Sequence, residues 1–114
     1  NLVRGIGVPH VTVIKPYKVK KSIEAVREAL RVPGVSVVIA QEVCALYART
    51  IKLPKRKPFQ VTAKCANHRT CLSELACPAF YLWKERVHID PDLCTGCALC
   101  AQICPENAIL PVKE

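Results

Sequence analysis

The sequence has no methionine, few glycines and almost no aromatic residues. Among its 114 residues Met is absent, Gly occurs 4 times, and aromatic side chains make up 5%. No apolar run approaches the roughly 18 residues that a membrane helix needs, and no charged, apolar and small-residue leader opens the chain. Each lack narrows the field. Without a secretory leader, the 8 cysteines read as reduced thiols of a cytoplasmic protein that bind metal, rather than as a disulfide scaffold. Without a membrane helix, no membrane partner is expected. Without methionine, and with Asn1 at the start, the chain reads as a fragment, a processed product or part of a longer polypeptide. The shortage of aromatics argues against nucleic acid: beside the basic run Lys52, Lys55, Arg56 and Lys57 only Phe59 is placed to stack on a base.

That basic run reads as a solvated linker within a formal charge of +8. The count treats cysteines as neutral, whereas metal-bound cysteines are thiolates. A four-iron cluster with four thiolates carries about −2, so two such clusters would offset about half of the excess. The remaining positive surface suits an acidic protein partner.

Residues 1–44 read as a β-α-β unit. His10 to Ile14 is a short β-branched run that Lys15-Pro16 ends. From Val19, the apolar residues Val19, Ile23, Val26 and Leu30 fall at helical spacing. Ser22 and Glu24 form an incomplete capping box near the start of that helix, and Pro33-Gly34 stops it. Val35 to Ala40 is then an almost continuous apolar run, the pattern of a strand buried on both faces of a parallel sheet. Two strands and one helix cannot cover such a strand, so further strands are expected from upstream sequence or another subunit. Residues 45–60, punctuated by Pro54 and Pro58, read as a basic connector, and residues 61–114 as a cysteine module. A module of about 50 residues buries too little apolar surface to fold without metal, disulfide or partner. Between its two cysteine groups, Phe80 to Ile89 reads as a hairpin turning near Lys84-Glu85, consistent with an imperfect internal duplication.

The second cysteine group carries the chemistry. Cys94-x2-Cys97-x2-Cys100-x3-Cys104-Pro105 is the bacterial-ferredoxin run. Three cysteines on one tight loop grip three irons of a cubane, and the fourth reaches the other cluster in a two-cluster ferredoxin. The small residues Thr95, Gly96 and Ala98 allow backbone N–H groups close to the sulfurs, which helps set the potential. Zinc sites instead show two separated pairs. The first group reads Cys65-x2-His68-x2-Cys71-x5-Cys77-Pro78. Here His68 stands in the slot of the second cysteine, and the last gap is two residues longer. Cross-ligation then assigns Cys94, Cys97, Cys100 and Cys77 to one 4Fe–4S cluster, and Cys65, Cys71 and Cys104 to a second that lacks one cysteine. Three readings fill the vacancy. His68 ligates in place of the thiolate; the corner is empty and the cluster has three irons; or Cys44 folds back as a ligand. His10 and His88 hold no comparable position and read as structural or surface residues.

The whole chain resembles the C-terminal part of the large (alpha) subunit of the indolepyruvate:ferredoxin oxidoreductases, which use thiamine diphosphate to oxidise 2-oxoacids. The carrying segments are VSVVIAQEVC at 35–44, LPKRKP at 53–58, the short CPAF at 77–80, and CTGCALCAQICPENAI at 94–109. The resemblance implies an α+β chain: the closing β-α-β unit of an α/β thiamine-binding domain, followed by a bacterial dicluster ferredoxin-like domain. The family carries Cys where this sequence has His68. By the same resemblance, a 2-oxoacid such as an arylpyruvate is decarboxylated on thiamine diphosphate and its acyl group passes to coenzyme A. The electrons leave singly through the clusters to an external acidic ferredoxin. The motif for thiamine diphosphate and Mg2+ is absent from these residues, so the chain is expected to carry no catalytic residue. The expected partners are the rest of the thiamine-binding part and a smaller (beta) subunit. Two other functions compete: a stand-alone dicluster ferredoxin with an N-terminal extension, and a zinc-stabilised binding module. Visible absorbance separates the zinc module from both iron–sulfur readings.

Overall fold

The computed structural model describes residues 2–51, 53–54 and 56–113. Asn1 and Glu114 lie outside the described residues, as do Lys52 and Lys55 of the basic run. The chain divides into two compact units, Asn1–Val43 and Cys44–Glu114.

In the first unit a short helix α1 (Leu2–Gly5), which the sequence did not announce, precedes β1 (His10–Ile14), α2 (Val19–Arg31) and β2 (Ser36–Ala40). The strands pair in parallel, from His10 opposite Ser36 to Ile14 opposite Ala40, and Gln41 N–H extends the ladder to Ile14 O at 2.9 Å. Parallel pairing needs a crossover, and α2 supplies it. Ser22 does not cap α2: the helix opens at Lys18 without a side-chain cap. The Ser22 hydroxyl instead donates back toward the carbonyls of Lys18 and Lys15, at 3.0 and 3.1 Å. At the far end Val32 turns extended, as a residue before proline prefers, and Gly34 takes φ 92°, which L side chains rarely adopt.

No described residue of this unit is fully buried. The β2 residues Ser36 to Ile39 are half-buried, while Leu30 on α2 is 80% exposed and Val35 64%. The pattern of a doubly covered strand therefore meets a sheet with cover on one side only.

The second unit opens with α3 (Ala45–Thr50), then β3 (Phe59–Val61), α4 (Thr70–Leu75), β4 (Phe80–Trp83), β5 (Arg86–Ile89), α5 (Leu99–Ile103) and β6 (Ile109–Pro111). The stretch read as a connector, residues 45–60, thus holds a helix, and its last two residues begin a strand. That strand, β3, pairs antiparallel with β6, Val61 opposite Ile109 and Phe59 opposite Pro111. Pro111 lacks a donor and occupies the outer end of a two-stranded edge, where it is tolerated. The hairpin β4–β5 runs from Phe80 opposite Ile89 to Trp83 opposite Arg86. Lys84 and Glu85 turn it with φ 47° and 60°, the left-handed pair of a two-residue turn matched to strand twist. Tyr81 stacks on His88, ring centroids 5.5 Å apart, so His88 is a hairpin residue.

The core of this unit is small: Cys71, Val87, Cys100 and Ile109, with Phe59, Val61, Leu72, Leu75, Phe80, Ile89, Ala101 and Cys104 packed around them. Two of its four central members are thiols. An exposed apolar strand face favours self-association when nothing covers it. Expressed by itself, the chain is expected to oligomerise, with fast amide exchange over Val35–Ala40. A dispersed monomer that protects those amides would contradict this.

Candidate metal centres

Both cysteine loops have the same backbone. In the second, Gly96 and Ala98 flank Cys97 with φ 67° and 62°; in the first, Asn67 and Arg69 flank His68 with φ 61° and 58°. Each loop therefore has positive φ on both sides of a central residue whose own φ is not positive, and each runs into a short helix. Ala98 caps α5 and Arg69 caps α4, so Cys100 and Cys71 both fall on the second residue of their helices. His68 stands in the backbone slot that Cys97 fills in the other loop.

The fourth cysteines also correspond. After Cys104-Pro105, Asn107 N–H returns to Cys104 O at 3.2 Å; after Cys77-Pro78, Phe80 N–H returns to Cys77 O at 3.1 Å. Proline suits the second position of such turns because its φ is preset. The two extra residues of the first group are taken up by a longer helix and a left-handed exit. Helix α4 has 6 residues against 5 in α5, and Ala76 leaves it at φ 44°.

Seven of the eight thiols fall into two sets. Burial pushes the Cys100 thiol up to about 12, and Cys97, Cys94 and Cys77 act on it as like-charged neighbours. Burial likewise raises Cys71, whose like-charged neighbours are Cys65 and Cys104. Several thiolates cannot ionise together in such surroundings without a compensating cation, and iron supplies one. Backbone donors already face two sulfurs. Phe59 N–H lies 3.4 Å from Cys94 Sγ and Ala108 N–H lies 3.3 Å from Cys104 Sγ. Sulfur-rich donors, sulfur-directed amides and a shared core fit iron–sulfur clusters. Both sets reach that core through Cys71 and Cys100.

His68 joins the smaller set. It lines an apolar, open cleft of about 350 Å³, solvent at the mouth included, with Cys65, Cys71, Cys104, Pro105 and Glu106. Its Nε2 lies 3.1 Å from Glu106 Oε1, and the two side chains are 52% and 46% exposed. Sequence reasoning missed Glu106, because only folding brings residues 38 apart together. The loop itself is fastened to the hairpin turn. Asn67 Nδ2 and Arg69 Nη2 both donate to Glu85 O, at 3.0 and 3.1 Å, and Arg86 Nη2 donates to Cys65 O at 3.3 Å. Cys44 is not brought to either set. It is exposed at the start of α3, where the backbone N–H groups of Tyr47 and Leu46 lower its thiol pKa.

A fold of two short hairpin-like sheets, two loop–helix units and two thiol sets defines the class of small iron–sulfur proteins. Residues 87–110 match the 4Fe-4S binding domain family. A ferredoxin from Alicyclobacillus acidocaldarius is 39% identical over 54 residues, covering 46% of this chain and 69% of that protein. Pyruvate synthase subunit PorD from Methanothermobacter marburgensis is 41% identical over 58 residues, 51% of this chain and 68% of that subunit. The chain belongs, through its second unit, to the ferredoxin family, and along its whole length it is similar to indolepyruvate oxidoreductase subunit IorA. The IorA protein of Archaeoglobus fulgidus is 43% identical over 116 residues, taking in 100% of this chain and 19% of that subunit. The chain thus spans about a fifth of the length of the IorA relatives it matches. No solved structure matches it. Among the described residues, no helix is long and apolar enough to cross a membrane.

Gly96 tests the second loop. A Cβ there would stand 2.6 Å from both Arg56 Cβ and Lys57 O, and the left-handed φ adds roughly 1–2 kcal/mol. Gly96→Ala is therefore expected to push the 56–57 backbone away and lower iron content per chain. Ala98→Gly keeps the loop free of new contacts and should retain full loading. Equal iron content in the parent and Gly96→Ala would refute the packing argument.

Proposed function

We propose that this chain carries electrons through two iron–sulfur clusters as the ferredoxin-like part of a 2-oxoacid:ferredoxin oxidoreductase of the indolepyruvate or arylpyruvate type. Cys77, Cys94, Cys97 and Cys100 hold one cluster, and Cys65, His68, Cys71 and Cys104 hold the other. The observation that carries the reading is the sorting of the thiols. Cys100 has Cys97, Cys94 and Cys77 as neighbours, and Cys71 has Cys65 and Cys104. Each set thereby takes its last member from the opposite half of the unit, as cross-ligation requires.

When bound, the clusters supply one-electron carriers. The protein's part is to hold and tune them. The cysteines bind as thiolates, and the amides of Phe59 and Ala108 withdraw charge from Cys94 Sγ and Cys104 Sγ, which favours reduction. The packed residues Val87 (2% exposed) and Ile109 (3%) form the core with Cys71 and Cys100 and keep water from those two thiols.

The first unit takes the part of the closing β-α-β segment of a thiamine-binding domain. The rest of that domain, with thiamine diphosphate and Mg2+, then covers the open face of β2 and the exposed residues of α2. A smaller subunit completes the enzyme, an external acidic ferredoxin takes the electrons, and the assembly is cytoplasmic. The whole-length similarity to IorA supports this reading over a stand-alone ferredoxin, since the ferredoxin match covers 46% of the chain and leaves the uncovered sheet without a purpose.

Cys77→Ser separates the possibilities. The parent should be brown and contain two clusters. The variant should lose the cluster of the 94–100 loop and keep the one held by Cys65 and Cys71, as seen by iron and sulfide analysis with electron paramagnetic resonance. Loss of the Cys65/Cys71 cluster instead would overturn the ligand assignment. A colourless parent that binds zinc would overturn the function.

A further inference from the structure

Among the described residues, the pairing of His68 with Glu106 has no counterpart in the other half of the unit. The turn that delivers Cys104 continues Cys104-Pro105-Glu106-Asn107 and faces the loop of His68. The turn that delivers Cys77 continues Cys77-Pro78-Ala79-Phe80 and serves the loop of Cys97. In equivalent positions, two residues past the fourth cysteine, stand Glu106 and the buried Ala79. A carboxylate is present on the side where the central ligand slot holds histidine. A methyl group stands where that slot holds cysteine.

We propose that Glu106 is a positioning residue for His68, holding the Nε2–H so that Nδ1 is the atom presented to iron. This rests on the reading above that His68 ligates. The carboxylate can only accept a hydrogen bond, so the 3.1 Å contact puts the proton of a neutral ring on Nε2 and leaves the lone pair on Nδ1. Nδ1 is also the nitrogen nearer to Cβ. In a loop whose backbone otherwise copies the one around Cys97, the nearer nitrogen is the better stand-in for a short thiolate. Ligating histidines characteristically donate their second N–H to a carboxylate, which fixes the ring and raises its basicity. Glu106 has a further effect. Exchange of thiolate for imidazole removes a negative charge from the ligand shell, and the carboxylate on the far side of the ring restores part of it. Its anchorage in the turn of Cys104, where Asn107 takes φ 48°, ties the ring's partner to the same segment as a cluster ligand.

The test uses the whole chain with its clusters bound. Pulsed paramagnetic resonance reads nitrogen hyperfine coupling to the reduced cluster, redox titration reads its potential, and iron analysis reads loading. The parent should show a coupled imidazole nitrogen. Glu106→Gln, whose amide oxygen still accepts the Nε2–H, should keep that coupling at a higher potential. Glu106→Ala should alter or lose the coupling and shed iron from the Cys65/Cys71/Cys104 site. The same Glu106→Ala change in a His68→Cys background should leave loading intact and shift the potential less. Equal shifts in both backgrounds would show Glu106 to be a distant charge and overturn the proposal while His68 stays a ligand. Full iron without nitrogen coupling in the parent would overturn ligation by His68, and the positioning role with it. Iron retained in His68→Ala but lost in Glu106→Ala would make Glu106 itself the ligand, which also overturns it.

Discussion

Thiols occupy the places where a larger protein would put leucine and isoleucine. Cys71 and Cys100 stand at the centre of the second unit beside Val87 and Ile109, and burial raises the pKa of both thiols. A core with so few hydrocarbon side chains contributes little by burial alone. If the sulfurs are bound to iron as proposed, metal–sulfur bonds supply what the apolar contacts cannot, and folding and cofactor capture become one event. The short strands and five- or six-residue helices are consistent with that arrangement. Helices of this length are marginal by themselves, and here α4 and α5 each begin on a loop that carries proposed ligands.

The first unit fails to close for the opposite reason. It has ample apolar side chains but too few layers. A β-α-β segment can cover one face of its sheet with its own helix, and α2 does so while Ile23 and Val26 stay 45% and 40% exposed. The two units therefore need different things, one a polynuclear metal centre and the other more polypeptide. The similarity to about a fifth of IorA accords with the second need.

Much of this was legible in the sequence because the informative signals are local. The helix of Val19, Ile23, Val26 and Leu30 is a matter of period, and the Lys84-Glu85 turn lies between two runs of strand formers. The cysteine spacings likewise depend on nothing distant. What stayed hidden is non-local or very short. Phe59–Val61 is three residues long and gains its meaning as a strand from Ile109–Pro111, near the far end of the unit. Helix α3 lies in a stretch whose flanking prolines and charges suggested a linker. Glu106 gave no sign of being the partner of His68, because a glutamate after Cys-Pro looks like any solvated charge until the turn places it. The equivalence of the loops was only half visible. Spacing aligned His68 with Cys97, and Asn67 is a residue type that tolerates positive φ, but the left-handed torsion at Arg69 had no sequence signature.

The β3–β6 ladder brings Phe59 and Pro111 side by side, so the stretch between them leaves and returns at nearly the same point. Units whose ends meet in this way tolerate being moved between contexts, since insertion or reconnection disturbs little of their interior. Residues 59–111 thus form a segment closed by a three-rung clasp, whose two ends lie together. Chain economy follows as well: joining residue 111 back to residue 59 would take only a short linker. The same clasp that completes the sheet makes the unit a candidate for circular permutation and for transplantation onto other redox proteins.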